Sequence, residues 1–329
     1  MKEHNKWISI CKGIGICLVV LGHSQLEILS KYIFWFHMPF FFISAGYLFS
    51  NTYSLMDLIK KRSKRMLVPY FSFGVLTLII VQTQSYNLNE IPLYIENILL
   101  GGRRLGYFYG IYWFPTTLFL TIIVFATLRR VIKNDVIVIS LVIVSYTLSH
   151  LYVANNELKV YWSLDTVSIS IFYFAVGYYG KQLINKTNTW YGVVALSISV
   201  MLIIADHYNM IQYKLDLKAN AYNHLLLDVI IPIVFTILII SIGKLIEHTF
   251  TGSVFNEVGK MSMTVMYLHI SVMIIVRSYL ELNEVSVALI AFLVPVIVHL
   301  IFKQSPLLRA IFFGESFKRI KYESETRSA

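Results

Sequence analysis

Ten apolar stretches, each close to the length that crosses a bilayer, follow one another along the chain at about 8–28, 31–50, 67–84, 107–130, 134–152, 161–181, 189–206, 222–243, 255–280 and 285–304. A hydrocarbon core of ~30 Å needs about 20 apolar residues of helix. Each stretch is continuously apolar rather than alternating, so helices, not barrel strands, are what can satisfy the backbone in lipid. Of the 329 residues 57% are hydrophobic and 14% charged, which leaves almost nothing for a folded soluble domain. The sequence therefore predicts an all-α polytopic integral membrane protein of about ten transmembrane helices, one transmembrane domain over 1–329 with no fused soluble domain.

Orientation is written in Lys and Arg. With the N-terminus inside, the inner segments hold 20 of the 28, among them the run Lys60, Lys61, Arg62, Lys64 and Arg65, while the outer segments hold Lys31, Arg103, Arg104, Lys159, Lys214 and Lys218. Both termini are expected in the cytoplasm. The net charge of +10 thus encodes topology, and no nucleic-acid partner is expected. Lys2 and Lys6 before an apolar run imitate a signal peptide, but no small-residue cleavage pattern follows, so the run reads as a retained first helix. Cys11 and Cys17, six apart in that run, suit neither a disulfide framework nor a zinc site, and no metal site is expected. Ser54 to Met66 reads as an amphipathic cytoplasmic helix leading into the third span, and Ile91 to Leu100 as a re-entrant or interfacial helix.

Ionisable groups inside apolar stretches are costly and therefore functional candidates; here they are Lys12, His23, His37, Asp165, Asp228, His269, Arg277 and His299. Lys12 and His23 lie eleven residues apart, which on a helix is three turns plus roughly 20° and about 16 Å of rise. They share one face at different depths. A turn expected around Ser30 would return the chain so that His37 reaches the depth of His23, in the outer half. Lysine can snorkel and histidines can bridge helices, but imidazole is also the side chain best placed to exchange a proton near neutral pH. Arg62 and Arg65, three apart on a helix, share a face suited to one phosphate-bearing ligand or to anionic lipid, and spacing does not choose between them.

Three of these features together resemble a known family, the membrane-bound acyltransferase family 3, which includes polysaccharide and fucose O-acetylase-like proteins. Lys12-Gly-Ile-Gly-Ile-Cys-Leu-Val-Val-Leu-Gly-His23 matches its Arg/Lys-x10-His motif, with Lys12 in place of the commoner Arg. Phe36-His37-Met-Pro-Phe-Phe-Phe-Ile-Ser-Ala-Gly46-Tyr-Leu-Phe49 is similar to its second-helix signature, and Arg62-Ser-Lys-Arg65 to its Arg-x-x-Arg motif. Shorter similarities run through Tyr112-Trp113-Phe114, Trp162 to Asp165 with Gly177-Tyr178, and Ser262 to His269.

The resemblance implies an O-acyltransferase of the bacterial inner membrane that moves an acyl group, acetyl by default, from acyl-coenzyme A to a hydroxyl of a cell-surface glycan or lipid-linked saccharide. Acetyl-coenzyme A would be a co-substrate, with no permanently bound cofactor. His23 would be the catalytic base or nucleophile; Lys12, Arg62 and Arg65 would belong to the donor side. His37, Trp113, Asp165 and His269 are candidate supporting or acceptor-binding residues, while Asp228, Arg277 and His299 read as structural. The competing class is a glycan exporter, since intramembrane His, Lys and Asp also line transport pathways. Inverted repeats and Gly/Pro-broken helices in corresponding halves would favour it, and the sequence suggests neither. Acceptor identity and oligomeric state are not written in the sequence.

Overall fold

The computed structural model describes residues 6–152, 160–222 and 224–316 and is helical almost throughout. Lys2, Lys159 and the tail cations beyond residue 316 lie outside the described residues. Every apolar stretch carries a helix: α1 (Lys6–Gly22), α2 (Glu27–Phe34) with α3 (His37–Leu48), α4 (Leu55–Arg62) running on into α5 (Val68–Ser85), then α6 (Ile91–Leu100) and α7 (Trp113–Val131). There follow α8 (Asp135–Tyr152), α9 (Val167–Tyr179), α10 (Lys181–Lys186) and α11 (Thr189–His207). A two-stranded antiparallel hairpin, β1 (Leu215–Asp216) and β2 (Ala221–Tyr222), precedes α12 (Leu227–Leu245), α13 (Phe250–Tyr279), α14 (Glu284–Gln304) and α15 (Pro306–Phe313).

Among the described residues, seven helical stretches are long and apolar enough to cross a membrane: Glu27–Leu48, Leu55–Gln84, Tyr107–Val131, Thr189–His207, Leu227–Leu245, Phe250–Tyr279 and Glu284–Gln304. The remaining three of the ten expected stretches hold shorter helices. α1 has 17 residues, the apolar part of α8 runs Asp135–Leu151, and α9 has 13. Neither α1 nor α9 has an exposed residue, so both lie inside the bundle, where length need not match the hydrocarbon. The apolar windows of α11 and α14, only 17% and 22% buried, form the periphery.

Two glycine pairs set the interior. A Cβ on Gly13 would stand 2.1 Å from the Phe255 carbonyl oxygen, and one on Gly259 would stand 1.8 Å from that of Ser9, so α1 and α13 touch backbone to backbone. α3 and α9 do the same through Gly46 against Phe174 and Gly177 against Ile43, each at 1.9 Å. Small residues at both sides of a crossing permit this approach in membranes.

Several boundaries differ from the sequence expectation. The first helix ends at Gly22 rather than near 28, and the turn falls at 23–26, with Gln25 at φ 59°, not around Ser30. The second stretch is two helices, interrupted at Trp35–Phe36, where Phe36 has φ −145° and ψ −18°. Pro39 explains the interruption: it has no N–H for the Trp35 carbonyl, and its ring would collide with that carbonyl in a continuous helix. The sixth stretch opens with Trp162 and Ser163 in left-handed conformation, so its helix starts only at Val167. The eighth starts at Leu227, because Tyr222 belongs to the hairpin.

The amphipathic segment does form a helix: the Ser54 hydroxyl accepts from the Asp57 N–H at 3.1 Å, Asp57 occupies the first turn, and Lys60, Lys61 and Arg62 occupy the last, as the helix dipole favours. Between α4 and α5 the backbone takes one π-helical turn, Ser63–Leu67. Such bulges gather at functional sites.

Candidate functional site

α1 carries Lys12 near its middle and delivers His23 just past its last residue, Gly22. After Gly22 the chain makes one more helical contact, with the His23 N–H donating to the Val19 and Val20 carbonyls at 3.2 Å, and then turns. His23 therefore projects from the end of an interior helix. Its ring lies 5.3 Å from that of His269 on α13 and 5.3 Å, edge on, from that of Phe34 at the end of α2. Phe34 in turn contacts His37, centroid to centroid 4.8 Å.

Hydrogen bonds orient two of the three imidazoles. Nδ1 of His37 donates to the Ile33 carbonyl at 3.0 Å, and Nδ1 of His269 to those of Val265 and Met266 at 2.9 and 2.8 Å. Donation from Nδ1 leaves each neutral ring its lone pair on Nε2. Nε2 of His23 and Nε2 of His269 are both buried without a hydrogen-bond partner among the described residues. Buried polar atoms are normally partnered, so two such nitrogens on neighbouring rings leave hydrogen-bonding capacity unused beside His23.

His23 and His37 line a cavity of about 350 Å³, the histidine cavity, with Trp113, Lys218 and Arg277 in its walls. His37, Met38 and Pro39 are the first residues of α3 and all line it, so that helix presents its positive end to the cavity. A second cavity, also about 350 Å³, contains Lys12, Arg62 and Arg65 with Ser44 and Ser262. No carboxylate lines this arginine cavity, and the three cations have no ion-pair or hydrogen-bond partner among the described residues. Lys244, by contrast, is fully committed: it caps the end of α10 by donating to the carbonyls of Ile184, Asn185 and Thr187 at 2.7–2.9 Å. The two cavities share Met38 and Ile111.

The remaining candidates separate. Trp113 is in the histidine cavity, whereas Asp165 lines neither cavity. Asp165 is paired with Arg103 and accepts from Asn220 Nδ2 at 2.6 Å, tying the loop after α6 to the hairpin. Tyr112 is buried in an aromatic cluster, its hydroxyl 2.8 Å from that of Thr77. Asp228 accepts from His150 at 2.9 Å, His299 contacts Thr264 at 2.8 Å, and Arg277 is bound by Glu284. The model of the acyltransferase 3 family, described as an acyltransferase domain, matches residues 5–303.

The chain belongs to the acyltransferase 3 family. Both cavities lie within the matched segment, so the acyltransferase carries its pockets inside a multi-pass helical membrane domain. Comparison with curated proteins and with solved structures returns no match.

Sequence reasoning passed over two parts of the acyltransferase's cavities. Lys218, in the hairpin loop, had been counted only as an outer charge; burial lowers its ammonium, against the opposing pull of Asp216. Arg277, assigned a structural role, keeps its ion pair and also faces the histidine cavity. No spacing rule could have found Lys218, because the hairpin brings it to α1 from a distant part of the chain.

Proposed function

We propose that this acyltransferase is an O-acetyltransferase of the bacterial inner membrane, moving acetyl from acetyl-coenzyme A to a hydroxyl of a cell-surface glycan or lipid-linked saccharide. The observation that carries the reading is the pair of cavities meeting at Met38 and Ile111, one lined by three cations unpartnered among the described residues and the other by His23 and His37. Polyphosphate donor and sugar acceptor differ in size and in the side of the membrane from which they come. Two separately lined cavities that meet inside one bundle suit such a pair.

In this reading Arg62 and Arg65 hold the nucleotide phosphates by charge-assisted hydrogen bonds, with Lys12 beside the pantetheine arm. The thioester carbonyl comes to the boundary between the cavities. His23 takes the acceptor hydroxyl proton as the oxygen attacks the carbonyl carbon; the C–S bond breaks, and the proton passes to the departing thiolate. The positive end of α3 offsets the negative charge that grows on the carbonyl oxygen. General-base action contributes typically 10²–10⁴-fold, and alignment within the bundle supplies the rest. His37 and His269 are positioning or acceptor-side groups.

The test uses full-length protein in nanodiscs, following coenzyme A release from acetyl-coenzyme A with and without lipid-linked glycan extract. Wild type should turn over, His23→Ala should lose at least 10²-fold in kcat, and Arg62→Ala/Arg65→Ala should raise the donor KM at least tenfold with a smaller effect on kcat. All variants must remain monodisperse. Retained turnover in His23→Ala would overturn the assignment of the base, and absence of donor binding by wild type would redirect attention to glycan export.

A further inference from the structure

The histidine cavity continues into another. A neighbouring cavity of about 290 Å³ shares Phe34, Leu215 and Asp216 with it and includes Trp35, Tyr213 and Lys214. The hairpin β1–β2 is the common wall, fastened by Trp35 Nε1 donating to the Tyr213 carbonyl at 3.1 Å and by the Asp165–Asn220 contact. The two cavities thus lie side by side along the hairpin with aromatic residues in their walls, an arrangement that suits sugar rings.

Its charges are unevenly satisfied. Arg277 is bound to Glu284, and Lys31 to Asp206. Asp216 is engaged by the hairpin's own turn, accepting from the Ala219 N–H at 3.0 Å. Lys218 lines the same cavity as His23, is half-buried, and has no ion pair or hydrogen bond among the described residues. Lys214, in the neighbouring cavity, has none either. Asp216 acts on the Lys218 ammonium through space without pairing with it, so an ammonium drawn partly out of water there leaves room for a second anion.

We propose that the acceptor is an acidic oligosaccharide longer than one sugar, whose carboxylate or phosphate binds Lys218 while further sugars run along the hairpin past Lys214. The inference rests on transfer taking place at His23. It assigns Lys218 to acceptor specificity, since it holds the acid group while the neighbouring hydroxyl reacts. Attraction of a charge partly shielded from water acts mainly on binding, so the effect belongs in KM rather than in kcat.

The experiment compares wild type, Lys218→Ala and Lys218→Arg, full length in nanodiscs, on four acceptors: a uronic-acid tetrasaccharide, its carboxyl-reduced neutral form, a phosphodiester-bearing tetrasaccharide and a uronic-acid monosaccharide. Lys218→Ala should raise the KM for the preferred acidic tetrasaccharide at least tenfold with kcat within twofold. The neutral form should be unaffected, Lys218→Arg should recover most of the loss, and the monosaccharide should bind at least tenfold more weakly. The two acidic arms show whether the acid is a carboxylate or a phosphate. Equal use of neutral and acidic acceptors by wild type, or equal damage to both by Lys218→Ala, would overturn the proposal. Equilibrium binding of fluorescent tetrasaccharides without donor reads the same preference. If wild type releases no coenzyme A with any acceptor, the transfer reading fails, while an acid preference in binding that Lys218→Ala removes, or its absence, still decides the role of Lys218.

Discussion

His23 reaches its cavity because α1 stops one residue before it. The eleven-residue spacing from Lys12 expects both on one helix face at different depths; the structure keeps Lys12 within α1, sets His23 in the turn after it, and gives each its own cavity. The same logic carried Arg62 and Arg65 to a common cavity, although the π-helical turn beginning at Ser63 was not visible in the pattern of residues. Lys218 was illegible for a different reason: a lysine in a polar loop has no periodicity, and only the tertiary position of the hairpin gives it a neighbourhood. Around its ammonium stand Asp216 from the same hairpin, Arg277 from α13 and His23 from the end of α1, all lining one cavity. Burial lowers the Lys218 ammonium below an ordinary lysine. Affinity for an acidic tetrasaccharide should therefore be complete below that lowered value and fall as pH rises through it. In Lys218→Arg the fall should move to higher pH, because guanidinium keeps its charge. Titrating the fluorescent tetrasaccharide against pH checks both, and a pH-independent affinity in wild type would contradict the assignment.

At the level of elements, hydrophobic runs announced helices but not where they break. Pro39 was present in the sequence, and a proline three residues inside a helix commonly frees the carbonyl four positions earlier; that argument could have placed the break at Trp35. The hairpin escaped notice because its strands are two residues each, too short for any alternation to show, and its last residue, Tyr222, read as the start of the following span. Asp165, expected near the site, instead supports it indirectly through Arg103 and Asn220. Removing a carboxylate from a buried ion pair costs on the order of 3 kcal/mol. Asp165→Ala should accordingly loosen the hairpin: amide exchange across residues 215–222 should quicken at least tenfold, and acceptor KM should rise while donor KM stays within twofold. Hydrogen exchange by mass spectrometry and the coenzyme A assay read the two effects separately, and unchanged exchange would leave Asp165 with a different task.

For the whole molecule, membrane character and helical class were plain from composition, whereas the number of helices long enough to span was not. The expectation treated each apolar stretch as one full crossing, but α1 and α9, with no exposed residue, lie inside the bundle and are free to be short. Short interior helices leave room for cavities, and here two meet at Met38 and Ile111. A bulky side chain at that boundary should separate donor from acceptor without disturbing either end. Met38→Trp is expected to keep coenzyme A binding within threefold of wild type while lowering transfer at least 10²-fold; calorimetric donor binding beside the turnover assay checks it, and full activity would place the route elsewhere. The glycine contacts add a mechanical consequence. Where two backbones touch, as α1 and α13 do at Gly13 and Gly259 and α3 and α9 do at Gly46 and Gly177, neither partner can slide or roll without collision. The molecule therefore works as two stiff girders, one bearing Lys12, His23 and His269 and the other His37 and Met38. The α1–α3 link between them runs through the turn after Gly22 and the break at Trp35. Widening the passage without breaking these contacts would require one pair of helices to move against the other, carrying His23 and His37 on opposite sides of the seam.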